Sequence, residues 1–158
     1  MARFTFTSSG GAKALAIRIA KIKERIKDIR PALDLVHDQF IRDEKQLFAT
    51  GGASGRHGAW KANALATTKR KKHSRVLRGV AKDGHKLSAS CTHRNHIDHV
   101  FEQSANGVKM GTKHWKAAIH ARGGGRLAKR RSVDPTFKQR RKHVTIISTY
   151  IVEGIDHA

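Results

Sequence analysis

Acidic residues are scarce in this chain: 12 Asp and Glu stand against 33 Lys and Arg in 158 residues, a formal net charge of +21 with histidine neutral. Charge of one sign at this level repels itself, so polyanions, acidic partners or salt must screen it. Cysteine is nearly absent: a single Cys91 excludes an internal disulfide and any zinc cage built from several thiolates of one chain. No run of about 18 apolar residues occurs, so no membrane span is expected. The opening Met1-Ala2-Arg3-Phe4-Thr5-Phe6-Thr7 lacks the charged, apolar and small-residue order of a secretory signal. Aromatics make up 6% and hydrophobic residues 38%, which allows a thin core. Since a domain holds roughly 100–200 residues, the expectation is one soluble, intracellular, strongly basic domain.

The positive excess is uneven. Residues 1–50 carry a net +4, residues 51–100 a net +9 and residues 101–158 a net +8. Dense runs occur at Lys69-Arg70-Lys71-Lys72, at Arg126 with Lys129-Arg130-Arg131, and at Arg140-Arg141-Lys142. Clusters of this kind are the footprint of contact with phosphate backbones, double-stranded DNA among them, or with acidic protein faces. Sequence-specific base readout is not expected, because no helix-turn-helix, zinc-finger or aromatic RNA-binding pattern is present.

The organisation reads as α+β. Residues 1–10 form an N-terminal arm, with Ser8-Ser9-Gly10-Gly11 as a turn and N-cap. Leu15, Ile19, Ile22, Ile26, Ile29, Leu33, Val36 and Phe40 then recur at alternating spacings of 4 and 3, a heptad-like stripe on a helix over 11–48. Pro31 predicts a kink or break at Arg30 within it. The stripe packs either on the chain's own core or on a neighbouring subunit, and periodicity does not separate the two. Residues 51–58 hold four glycines and form a loop, with Trp60 as its anchor to the core. A short helical segment is expected within 60–80, near Leu65–Arg78, and Asp83-Gly84 marks a turn.

Over 87–112 an antiparallel meander of about three strands is expected. Leu87, Ala89 and Cys91 alternate with polar residues; Ile97, His99 and Phe101 share a second face; Val108–Thr112 follows an Asn106-Gly107 hairpin signal. Trp115 to His120 reads as a helical turn and 121–134 as a basic loop. Asp134 and Pro135 open a C-terminal helix over 135–154, with Phe137, Val144, Ile147, Ile151 and Ile155 on one face. The β-branched run Val144-Thr145-Ile146-Ile147 leaves a strand as its alternative.

Enzymatic readings find little support. His93, His96 and His99 form an H-x2-H-x2-H pattern beside Cys91 and Asp98, similar to a His-Asn-His nuclease, yet no downstream ligand set accompanies it and no metal or cofactor is expected. On a strand His96 points away from the other two. The glycine-rich loop lacks the lysine of a phosphate-binding loop. Asp43-Glu44, the only adjacent carboxylates, read as a helix surface pairing with Arg42 or Lys45. The expectation is no enzyme.

The order of motifs resembles a family of tailed-bacteriophage morphogenesis proteins, the tail-completion and tail-terminator proteins of the head–tail connector. The resemblance spans about residues 8–154. After the long N-terminal helix it is carried by Asp43-Glu44 to Phe48, Gly51-Gly52, Trp60, Thr68 to Lys71, Leu77, Gly84, Leu87 and Ser90. Gly111-Thr112, Ala117-Ala118-Ile119-His120, Gly123-Gly124 and a last helix through Tyr150-Ile151 complete it. Asp83 departs from the Thr that commonly precedes Gly84, and Lys116 from an aromatic. The resemblance implies a structural protein of the virion, assembled in the host cytoplasm. It implies a homo-oligomeric ring, commonly a hexamer, that closes the tail tube or joins it to the head around the DNA channel. Head-completion or adaptor proteins and tail-tube proteins would be its neighbours. The alternative is a basic nucleic-acid-binding protein, ribosomal or packaging-associated.

Overall fold

Proline decides where the first helix stops. In a computed structural model, which describes residues 9–72, 74–77, 87–123 and 128–154, the N-terminal stripe is carried by two helices. Helix α1 spans Ser9–Lys27 and α2 spans Arg30–Ala49, with Pro31 in the first turn of α2, where a missing N–H costs nothing. Helix α1 takes in Gly10 and Gly11, which were expected to form a turn. Asp28 holds the break: its carboxylate accepts the Arg30 N–H at 3.0 Å and the Arg30 guanidinium at 2.9 Å. That hydrogen-bonded cation lowers the Asp28 carboxyl to about 2.

The remaining elements are α3 (Leu65–Lys71), α4 (Leu87–Thr92), β1 (His99–Ser104), β2 (Gly107–Thr112), α5 (Trp115–Arg122) and α6 (Phe137–Glu153). Helices with a two-stranded antiparallel sheet make the chain α+β. Helix α2 is the centre: α6, α4 and both strands pack against it, while α1 packs against α6. None of these helices is long and apolar enough to cross a membrane.

The expected three-strand meander is corrected to one hairpin. Its register runs from His99↔Thr112 to Ser104↔Gly107 around Ala105-Asn106. Leu87–Thr92, expected as the first strand, is helix, because Leu87, Ser90 and Cys91 fall at i, i+3 and i+4 and all three are buried. Six residues, all but Leu87 with small side chains, satisfy both periods. Helix α3 ends at Lys71, short of the expected Arg78, with Lys72 in the left-handed region at φ 57°. Asp83-Gly84, Arg126 and Ile155 lie outside the described residues.

The C-terminal helix starts later than expected. Thr136, not Asp134, is its cap: the Thr136 hydroxyl accepts the Gln139 N–H at 3.2 Å, and the Gln139 side chain accepts the Thr136 N–H at 2.6 Å. Its inward face runs through Gln139, His143, Ile146, Ile147, Tyr150 and Ile151. Phe137 and Val144, expected on the apolar face, are 75% and 66% exposed.

The core gathers Leu47, Phe48, Trp60, Leu77, Leu87 and Cys91. Phe48 meets the Trp60 ring edge-on at 5.3 Å. Trp60 donates its backbone N–H to Gly51 O at 2.7 Å and its indole N–H to Arg131 O at 3.2 Å. The tryptophan therefore closes the glycine-rich loop on itself and ties it to the segment before α6.

Candidate interaction surface

One apolar register continues through both N-terminal helices, and its two halves meet different surroundings. On α2, Leu33, Val36 and Phe40 are 2%, 2% and 4% exposed. On α1, Leu15, Ile19 and Ile26 are 59%, 45% and 52% exposed, and Ile22 is half-buried, as is Ile29 at the break. Every residue from Gly10 to Lys21 is exposed. The ties of α1 to the body are at its C-terminal end. The Arg25 guanidinium donates to Ile151 O and Val152 O, both at 3.2 Å, and the Tyr150 hydroxyl donates to Asp28 O at 3.2 Å. Arginine here supplies donors to the orphan carbonyls at the end of α6. Beyond that clamp, α1 carries a narrow apolar seam flanked by Arg18, Lys21 and Lys23 with no cover among the described residues.

The basic runs divide into structural and surface cations. Arg130 is 8% exposed and its guanidinium donates to Lys61 O at 2.8 and 3.1 Å and to Ala62 O at 3.2 Å, so it staples the 128–134 segment to the chain after Trp60. Arg131 and Arg140 converge on Asp134, at 3.0 and 3.7 Å, together with Arg56 at 3.8 Å and His57 at 2.6 Å. The His57 hydrogen bond, followed by Arg131, holds the Asp134 carboxyl below its usual range. The expected helix cap is thus the hub of four basic side chains. Arg141 lies over the exposed Phe137 ring at 5.8 Å. Lys69, Arg70, Lys72, Lys129 and Lys142 are exposed, and their side chains make no hydrogen bond or ion pair among the described residues. Lys71 is partly buried, and burial, then Arg130, lowers its pKa.

The histidine pattern does not converge. His93 Nδ1 lies 3.0 Å from the Thr92 hydroxyl, His96 Nδ1 accepts the Asp98 N–H at 3.1 Å, and His99 turns inward. Among the described residues no group of three or more His, Cys, Asp or Glu is placed to hold a metal. His99 Nδ1 sits 2.8 Å from Ser90 O, which only accepts, so its proton is on Nδ1. His99 Nε2 then accepts from His37 Nε2 at 2.7 Å, which leaves His37 Nδ1 buried without a partner. His37 also stacks on Phe101 at 3.8 Å, and burial lowers its pKa to about 4. This is a packed histidine pair in which burial holds His37 neutral. Burial pushes the Cys91 thiol up to about 12, which keeps it protonated.

Asp43 and Glu44 correct another expectation. They are not a surface pair but are 8% and 4% exposed. Asp43 accepts from Gln39 at 2.8 Å and lies 3.8 Å from His143, while burial raises the Glu44 carboxyl well above its usual value. The alternating stripe extended past Phe40 lands on Asp43 and Leu47, so the signal for burial was present.

Several motif residues of the family resemblance meet in the interior. Phe48, Trp60, Leu77 and Leu87 share the core, the Thr112 hydroxyl donates to the Ser90 hydroxyl at 2.7 Å, and His120 O accepts the Arg130 N–H at 2.7 Å. Comparison with protein-family models, with curated proteins and with solved structures found no match.

Proposed function

We propose that this protein is a non-enzymatic structural component of a tailed-bacteriophage head–tail junction, of the tail-terminator or tail-completion kind. In this reading copies of the chain assemble into a closed ring, about six subunits by the family resemblance, around the channel through which double-stranded DNA passes. The observation that carries it is the bare half of the helical seam. A chain with a thin core and a net charge of +21 leaves Leu15, Ile19 and Ile26 in water on a helix held by one end. Burial of such a seam is the ordinary source of association energy, and head-to-tail contacts that close by rotation generate rings.

The surface cations Lys69, Arg70, Lys72, Lys129 and Lys142 then face acidic neighbours or the outside of the ring. A strongly basic lumen would grip DNA and oppose its sliding. Native mass spectrometry and negative-stain images of the purified chain test the assignment. Closed rings support it, and a monomer at all concentrations refutes it.

A second reading, a basic nucleic-acid-binding protein, is favoured by the exposed Lys69 and Arg70 on α3 and Lys72 just beyond it. It predicts a monomer whose affinity for duplex DNA or RNA falls by about 10³–10⁵ between 50 and 200 mM salt for six to ten phosphate contacts.

A further inference from the structure

Among the described residues the sheet ends in an open edge beside a groove. Ser104↔Gly107 closes a two-residue turn, so Gly107, Lys109 and Gly111 bond across to β1 while Val108, Met110 and Thr112 direct their backbone groups outward. Among the described residues the sheet has only these two strands. A groove of about 560 Å³ lies along this edge. Four consecutive residues, Lys109 to Thr112, line it. Val100 of β1, the cross-strand partner of Gly111, lines it as well, so the groove lies over the Val100/Gly111 face of the sheet beside the outer edge of β2. Its other walls are Ala117, Ala118 and Ala121 of α5, with small side chains, and the 131–134 segment, where Val133 is apolar and Arg131 and Asp134 are ion-paired.

The chain contains a segment suited to that space. Phe4 and Phe6 alternate with Thr5 and Thr7, the period and composition of a strand with one aromatic face. This segment precedes Ser9, the free end of α1. At 1.5 Å per residue, Ser9 stands about 27 Å along the axis from Lys27, near which the helix is clamped. Five extended residues from Ser9 back to Phe4 span about 17 Å. The Ile29 N–H donates to Ala105 O at 3.0 Å, so the hairpin turn lies at the clamped end of α1, and the segment cannot retrace its own helix to that turn. In the ring reading these residues reach a sheet edge on a neighbouring molecule.

We propose that Phe4–Thr7 of one copy adds as a strand to the outer edge of β2 in a second copy, with Phe4 and Phe6 seated in the groove against α5. Main-chain hydrogen bonds to Val108, Met110 and Thr112 supply affinity, and the aromatic pair supplies register. The contact is heterologous, so it propagates from copy to copy and closes when the rotation allows. It rests on the ring reading and names the joint that builds the ring.

Benzoylphenylalanine in place of Phe6, in a full-length chain mixed from light and heavy isotope-labelled copies, tests this. Irradiation is expected to link light to heavy chains, with the linked peptide mapping to residues 109–122. Links confined to one isotope, or mapping to other elements, overturn the proposal. The double variant Phe4→Asp/Phe6→Asp is expected to weaken association about a hundredfold, since it removes two buried aromatic side chains. Rings that persist unchanged in native mass spectra of that variant refute the strand joint and leave the ring reading standing. A wild-type chain that stays solitary at every concentration removes the ring reading and this joint with it.

Discussion

Alanine at Gly52 is the sharpest probe of how the glycine-rich loop is held. Gly52 sits at φ +92°, and a Cβ built there would lie 2.6 Å from Trp60 Cδ1 and Cγ. The backbone strain of an L-residue in this region costs about 1–2 kcal/mol. The indole is held by its bond to Arg131 O at 3.2 Å and by Phe48 edge-on at 5.3 Å, so it cannot retreat freely. Overpacking of this kind costs about 1–3 kcal/mol, which puts Gly52→Ala near 3 kcal/mol in all. For a chain of this size that lowers Tm by about 6–12 °C. Gly51 is the control: it has φ +59° and nothing within 4 Å of an added Cβ, so Gly51→Ala should cost only about 1 kcal/mol. Thermal and urea denaturation of both variants, alone and in a Trp60→Leu background, separates strain from clash. Equal destabilisation of the two glycine variants, or a Gly52→Ala penalty undiminished by Trp60→Leu, would refute the reasoning.

Leu33→Ala should cost about 2–5 kcal/mol in denaturation, whereas Ile19→Ala, on the same stripe, should change stability of the isolated chain by less than about 0.5 kcal/mol and show its effect in sedimentation equilibrium instead. Arg25→Ala removes two hydrogen bonds to the end of α6 and should cost about 1 kcal/mol, with faster hydrogen exchange along α1 as its signature. His37 is held neutral in the fold by burial first, then by Arg94 and His99, with Asp38 and Asp34 opposing. The unfolded chain therefore binds more protons between pH 6.5 and about 4, and stability should fall as pH drops through that window. With partial solvent screening the loss is ~2 kcal/mol, and a His37→Phe chain should show a flatter pH dependence of its urea midpoint.

Much of the helical skeleton is legible from local pattern. The alternating spacing marks both N-terminal helices, Pro31 marks their junction, and Asn106-Gly107 marks the hairpin, because each signal lies within a few residues of the structure it specifies. Leu87–Thr92 was not legible in the same way. Leu87, Ala89 and Cys91 fit a strand, Leu87, Ser90 and Cys91 fit a helix turn, and the choice came from docking on α2. The candidate surface was half legible: the residues of the seam are evident, but its partition into core and bare surface is not. Arg130, one of a basic run, gave no local sign that it would be buried on two carbonyls.

The amino-acid order alone determined the excess of positive charge, the period of the N-terminal seam, the hairpin position and the lack of an internal disulfide, since these depend on composition and near neighbours. Tertiary structure alone decided which part of the seam is covered. Leu33 and Ile19 belong to one register, yet α4 and α6 pack against α2, whereas α6 reaches α1 only near its last turns. Coverage is a long-range property: it follows from where distant elements end in space, and residues of the same type at the same spacing carry no record of it.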